Sequence, residues 1–152
     1  MTGSARTERI FSAENVLGFA QNVPCVDCAI AYGAPCEVAD EKVMVTVQLK
    51  DGAAFNPDDV YAWYVKQQKE GGMDPKWMPD YIRIIDKFTV TDTQKVIVRP
   101  FKRENFNIDK NPDMQIYFKK RGEATYHKLT PEEFNKIKDD FKTNGRQTIL
   151  CS

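Results

Sequence analysis

The clearest alternation of apolar and polar positions in the chain lies in "EKVMVTVQLKDG", residues 41–52, where Val43, Val45, Val47 and Leu49 fall on every second position. A period of two is that of a strand with one face to bury, and Asp51-Gly52 supplies the turn that ends it. "VDCAIAYGA", residues 26–34, reads as another strand just before it. Helical spacing flanks this pair. "SAENVLGFAQNV" begins with Ser12 as a cap, carries apolar Val16, Leu17 and Phe19, and stops at Pro24. "NPDDVYAWYVKQQKEGG" is the strongest helix. Asn56 caps it, Pro57 takes the first helical position, acids fill the first turn, Gly71-Gly72 ends it, and Val60, Trp63 and Tyr64 form its core stripe.

The second half repeats these signals. "YIRIID" and "KFTVT" read as extended runs, and "MQIYFKK" and "ATYHKL" as a strand pair around Arg121-Gly122. "TPEEFNKIKDDFKTNG" is a closing helix with a capping box, Thr130 as cap and Glu133 reaching back, and an apolar stripe of Phe134, Ile137 and Phe141. Between these, "MDPKWMPD" is an irregular link. Its Met73, Trp77 and Met78 are either an exposed patch or a loop packed on the core, and packing is the expectation. "KRENFNIDKNPD" reads as a polar turn region. The order helix, two strands, helix, several strands, helix predicts a small α+β domain, a mixed β-sheet flanked by helices.

Composition narrows this further. At 152 residues, 41% of them hydrophobic, the chain suits one domain with a real core. Residues 1–7 read as linker or added residues, and 8–152 as the domain. Twenty-two basic and twenty-two acidic side chains cancel, and no RNA-binding signature or basic helix appears, so nucleic acid is not expected as a partner. The cancellation hides a basic end: residues 1–98 carry 10 Lys/Arg against 14 Asp/Glu, leaving 12 against 8 for 99–152. A solvated mixed surface accounts for that excess. No apolar run approaches the roughly 18 residues a membrane span needs, and the N-terminus has no apolar signal core. A soluble, cytoplasmic chain is the expectation.

Candidate chemistry is sparse. "CVDC" places Cys25 and Cys28 at a spacing used by zinc and redox sites, but with one histidine, His127, far along the chain, buried structural thiols are the expectation. There is no glycine-rich phosphate loop, no metal-spaced histidine pair and no nucleophile elbow. The acid pairs Asp58-Asp59 and Glu132-Glu133 sit in first helical turns, where the helix dipole explains them. One residue stands out. Lys95, in "VTDTQKVIVRP", follows a β-branched run with no acidic residue from 93 to 103 to pair with it. By local pattern it is either a solvated turn lysine or a point charge aimed into a neighbouring site, where it would suit a phosphoryl group gaining negative charge.

Taken in order, "ERIFSAENV", "VQLKDGAAFNPDDVYAWYVKQ", "MPDYIRIIDKFTVTDTQK" and "FKRENFNIDKNPDMQIYF…YHKLTPEEFNKI" resemble the C-terminal domain of acyl-CoA synthetases in the adenylate-forming, AMP-binding superfamily. The closest branch is that of very-long-chain fatty-acyl-CoA synthetases and fatty-acid-transport proteins. The likeness runs from about Glu8 to Ile137 and rests on the order and spacing of motifs that are individually weak. It implies a mobile lid domain in which Lys95 is the adenylation lysine, contacting the substrate carboxylate and the nucleotide near its α-phosphate. It also implies that Ala13, Glu14 and Asn15, in "FSAENV", match the hinge hairpin that later forms a face of the coenzyme A site.

The chain departs from the family pattern at several points. Ala13 replaces the family's glycine, Ile10, Phe11 and Ser12 replace basic or aromatic residues, and Gln94 stands where phenylalanine is common. Close backbone approach favours glycine, so adenylation is better supported than thioester formation. The resemblance further implies ATP and coenzyme A as co-substrates, Mg2+ held by a large N-terminal domain, that domain and a fatty acid as partners, and membrane-surface contact open to the full-length enzyme. The isolated chain is expected to be inactive, whether excised or a natural stand-alone copy. Two other readings stay open: a non-catalytic interaction module that keeps this fold, and a thiol or zinc module on Cys25 and Cys28.

Overall fold

A computed structural model describes residues 13–35, 41–74, 77–87, 104, 106–108, 112–119 and 125–145. In chain order the elements are α1 (Ala13–Asn22), β1 (Val26–Pro35), β2 (Glu41–Leu49), α2 (Pro57–Glu70), β3 (Tyr81–Ile85), β4 (Gln115–Lys119), β5 (Tyr126–Lys128) and α3 (Pro131–Thr143). The five strands form one sheet in the order β1-β2-β3-β4-β5. β2 and β3 run parallel, while the other three pairings are antiparallel. The sheet is therefore mixed, and the architecture is α+β as expected.

Strand alternation sorts the core into two layers. On one face Val43, Val45 and Val47 of β2 and Ile82 of β3 pack under α1, through Val16 and Ala20, and under α2, through Val60 and Tyr64. On the other face Ile30 and Tyr32 of β1, Met44 of β2, Tyr81 of β3, and Ile116 and Phe118 of β4 meet Phe134, Ile137 and Phe141 of α3. The α3 stripe is buried as predicted. Met73 and Met78 of the irregular link are buried against the first layer, with Trp77 half-buried and stacked on Phe19 of α1 at 6.0 Å. Packing thus explains that link.

The capping signals take the geometry they foretold. Asn56 accepts from the backbone N–H groups of Asp58 and Asp59 at 3.0 and 3.1 Å, satisfying donors that a helix start otherwise leaves open. Thr130 Oγ1 accepts from Glu133 N at 3.3 Å. Gly52 and Gly72, at φ of 77° and 72°, occupy left-handed backbone at the turns that close β2 and follow α2.

Two expectations need correction. Trp63 is only half-buried: it packs against the cluster that holds Val60 and Tyr64, its ring edge-on to Tyr64 at 5.1 Å, but at the margin of that layer. The "polar turn" 102–113 contains Phe106 and Ile108, both buried, together with buried Asn107. Phe106 lies against Tyr81 with ring centroids 4.0 Å apart and planes 7° from parallel, and meets Phe134 edge-on at 6.1 Å. It bridges β3 and α3. The expected strand "KFTVT" lies outside the described residues beyond Lys87, as do Arg121 and Gly122.

Because Phe106 has no solvent exposure and contacts three rings, Phe106→Ala is expected to destabilise the domain by about 3–5 kcal/mol in urea unfolding. A loss below about 1 kcal/mol would mean that this ring is not part of the core.

Candidate functional site

The site is best approached from β3, the strand that leads toward Lys95. Its start is fixed from both sides. Asp80 N donates to Val43 O at 2.8 Å, Val43 N donates to Asp80 Oδ2 at 3.0 Å, and Lys119 N donates to Asp80 O at 3.0 Å. The Tyr126 hydroxyl donates to Pro79 O at 2.7 Å from a fully buried position. Burial also pushes the Tyr126 phenol well above its usual pKa, with Tyr64, Asp80 and Tyr61 adding to the rise, so it remains a donor at any physiological pH.

From that anchor β3 runs parallel to β2, with Gln48 facing Ile85. Val26 faces Leu49, so β3 leaves the sheet at the end where β1 begins. Lys95 itself, and the rest of residues 88–103, lie outside the described residues. The chain is described again at Glu104. There Arg83 of β3 donates through Nη1 to Glu104 Oε1 at 2.5 Å, with the two side chains 14% and 38% exposed.

Arg83 occupies an unusual place for a charge. It shares a face of β3 with Tyr81 and Ile85, the face that packs toward α3, and it pairs with Thr46 on β2 and Ile116 on β4. Thr46 is fully buried, and its Oγ1 lies 2.5 Å from the Tyr32 hydroxyl. Burial raises the Tyr32 phenol far above its ordinary pKa; the Thr46 hydrogen bond and Arg83 oppose the rise and Glu104 adds to it. Tyr32, Thr46, Arg83 and Glu104 therefore form one polar seam across an otherwise apolar face. Composition and motif scanning missed it. The available signal was Arg83 itself, a charge on the inward side of "YIRII", which demanded a partner from elsewhere in the chain.

The second predicted stretch sits apart. Ala13, Glu14 and Asn15 form the first turn of α1, with Glu14 and Asn15 exposed. α1 packs along β1 and joins it through a tight turn in which Val26 N donates to Val23 O at 2.9 Å. Its 10 residues span about 15 Å, and Glu14 and Asn15 lie at the end of the helix away from the turn into β1. Ala13 is the first residue of the helix.

A groove of about 320 Å³ opens between the α1–β1 turn and α2, lined among others by Val23, Cys25, Val60 and Trp63, with exposed Asp59 and Lys66. The Cys25 thiol is pushed up mainly by burial, against a backbone hydrogen bond and the Lys50 charge that lower it. Cys25 packs with the layer under α1 and α2, Cys28 with the opposite layer. The "CVDC" thiols thus sit on opposite faces of the sheet, which dismantles the zinc or redox reading of that pair; Cys36 and Cys151 lie outside the described residues. Half-buried His127 lies on β5 opposite Phe118, in a strand rather than a cleft. Among the described residues no helix is long and apolar enough to cross a membrane.

No family model matches the chain. In sequence it is similar to steroid-22-oyl-CoA synthetase of Rhodococcus jostii (strain RHA1), with 27% identity over 127 residues, covering 84% of this chain and 22% of the relative. In structure it is similar to apo MatB from Rhodopseudomonas palustris, with a TM-score of 0.53, 19% identity, and 64% of this chain and 19% of that one covered. The ATP-bound form of the same MatB gives a TM-score of 0.50 at 18% identity over 63% of this chain and 18% of that one. The fold is that of the C-terminal domain of adenylate-forming enzymes. The chain spans about a fifth of the length of these relatives. The likeness in sequence to a CoA synthetase and the likeness in fold to MatB thus fall on the same chain.

A raised thiol pKa means a smaller thiolate fraction, and only the thiolate is nucleophilic. Iodoacetamide labelling of the Cys25 peptide, followed by mass spectrometry against pH, is therefore expected to rise at higher pH than for a free cysteine. Labelling at pH 7 as fast as that of glutathione would contradict the assignment of Cys25 to a packed wall.

Proposed function

We propose that this chain is the C-terminal lid domain of an ATP-dependent fatty-acyl-CoA synthetase, closest to the very-long-chain branch, and that Lys95 is its adenylation lysine. The observation that carries the reading is the coincidence of two likenesses on one chain: sequence similarity to a CoA synthetase over 127 residues, and the adenylate-forming lid fold. The "VTDTQK" motif supports the choice of lysine, and it follows β3 in the chain, a strand whose start is tied by Asp80 to Val43 and Lys119.

The chemistry gives that cation a purpose. In adenylation a carboxylate oxygen attacks the α-phosphorus of ATP, a P–O bond breaks, and pyrophosphate leaves as acyl-AMP forms. Two anions must approach each other. An ammonium group held between them offsets the repulsion and stabilises charge that grows on the phosphoryl oxygens. In the second step the coenzyme A thiol attacks the acyl carbon and AMP departs. For that step the face carrying Ala13, Glu14 and Asn15 takes the place of the lysine face beside the thiol's path. Nucleotide, fatty acid and acyl tunnel belong to a large N-terminal domain. Mg2+ would accompany ATP there; the described residues hold no group of three His, Cys, Asp or Glu side chains able to bind it.

A non-catalytic interaction module with this fold is the second reading. What favours it is the helical placement of Ala13, Glu14 and Asn15 in a stretch that the resemblance writes as a hairpin. Carboxylate-dependent ATP–pyrophosphate exchange, measured with the matching large domain present, separates the two. Lys95→Ala is expected to lower exchange about 10²–10³-fold with the fold intact. Unchanged exchange would remove Lys95 from the chemistry and leave the interaction module.

A further inference from the structure

We propose that the outer stripe of α2, with the groove beside it, is an interface through which two copies of this chain pair about a two-fold axis, their α2 helices antiparallel. At about 3.6 residues per turn, Asp59, Ala62, Trp63 and Lys66 fall within about 100° of the helix surface, away from Val60 and Tyr64, which turn into the core. Asp59, Ala62 and Lys66 are exposed and Trp63 is half-buried, so the stripe faces out of the domain. The same four residues line the groove of about 320 Å³, together with Val23, Pro24 and Cys25 of the α1–β1 turn. The middle of this surface is apolar. Its ends are charged, an acid toward the start of α2 and a base toward its end.

The order of those charges selects the occupant. Asp59 and Lys66 stand about 10 Å apart along the helix axis, with Ala62 and Trp63 midway between them. A second α2 laid antiparallel across that midpoint brings the partner's Lys66 to Asp59 and the partner's Asp59 to Lys66, so one symmetric contact makes two ion pairs. A parallel copy would set acid on acid and base on base. Glu70, one turn beyond Lys66 on the same side, falls past the partner's Asp59 rather than opposite it. Among the described residues neither Asp59 nor Lys66 has an ion-pair partner within the chain. Ala62 carries no bulk to hold two helices beyond the usual contact distance of about 8–10 Å. Each Trp63 indole then covers the partner's Ala62 and the mouth of its groove, removing from water an aromatic surface that one chain alone leaves half-exposed. Trp63 is already packed edge-on to Tyr64 at 5.1 Å, so docking costs it little side-chain freedom.

An interface of two short helices is small, so the dimer is weak and its formation depends on concentration. Sedimentation equilibrium of this chain from about 5 to about 500 µM is expected to show a mass rising from one chain toward two. Asp59→Lys and Lys66→Asp, each alone, set like charges together at two points and are expected to raise the dissociation constant about tenfold or more. The double variant Asp59→Lys/Lys66→Asp restores both pairs with reversed sign and is expected to return the constant to within about threefold of the original. Asp59 also serves the start of α2, so Ala62→Arg is a second probe: at an exposed position it keeps the fold, checked by far-UV circular dichroism, and is expected to abolish the dimer. A chain that stays monomeric across the range would overturn the proposal. So would a dimer that ignores the single swaps or survives Ala62→Arg, or a folded double variant no tighter than the single ones. A monomer that instead binds decanoate, read as a change in tryptophan fluorescence that Trp63→Phe removes, would give the groove to a small apolar ligand and overturn the pairing as well.

Discussion

Two parallel neighbouring strands cannot be joined by a hairpin, so the pairing of β2 with β3 forces the chain through a crossover. Much of the structure answers that requirement. The crossover is α2 with the link through Met73 and Met78, and its apolar side becomes part of the cover for one face of the sheet. Once β3 is set beside β2, its other edge accepts β4 and β5 in antiparallel order. The opposite face is then wide enough for α3 and the Phe106 bridge. The hydrogen bonds at Asp80 and the Tyr126–Pro79 contact are the local means of holding β3 where the parallel register needs it.

The same constraint links fold to function. β3 is fixed at its start, where Tyr81 and Ile82 are buried on opposite faces of the sheet, and the residues that lead to Lys95 follow it in the chain. Catalysis that depends on placing one cation between two anions gains from a fixed framework, because a small misplacement weakens a short-range charge contact sharply. The α1 face carrying Glu14 and Asn15 attaches elsewhere on the sheet.

Much of this architecture was legible from local pattern. The valines of β2, the Asn56 and Thr130 caps and the α3 stripe each act within a few residues, and each took the form that spacing implied. Sequence failed where the deciding contact was distant. Phe106 and Ile108 sit among charges in "RENFNID", and only Tyr81 and α3, far along the chain, make them core. Trp63 has the spacing of a core residue, but it packs at the margin of the layer in which Val60 and Tyr64 are buried and stays half-exposed. Arg83 and Glu104 find each other across 21 positions with no local sign except a charge on an inward-facing strand position. The CVDC spacing invited a joint role for two thiols, yet the two thiols pack on opposite faces of the sheet. Lys95 is a candidate by motif order alone, and it lies outside the described residues.

The central claim is that this chain completes an active site it does not contain. The direct measurement is a single-turnover assay of acyl-adenylate formation from α-labelled ATP and a long-chain fatty acid, using the matching large domain with and without this chain. The account predicts that adenylate accumulates rapidly only when the chain is added. Equal rates with and without it would contradict the lid function and leave the fold without the role proposed for it.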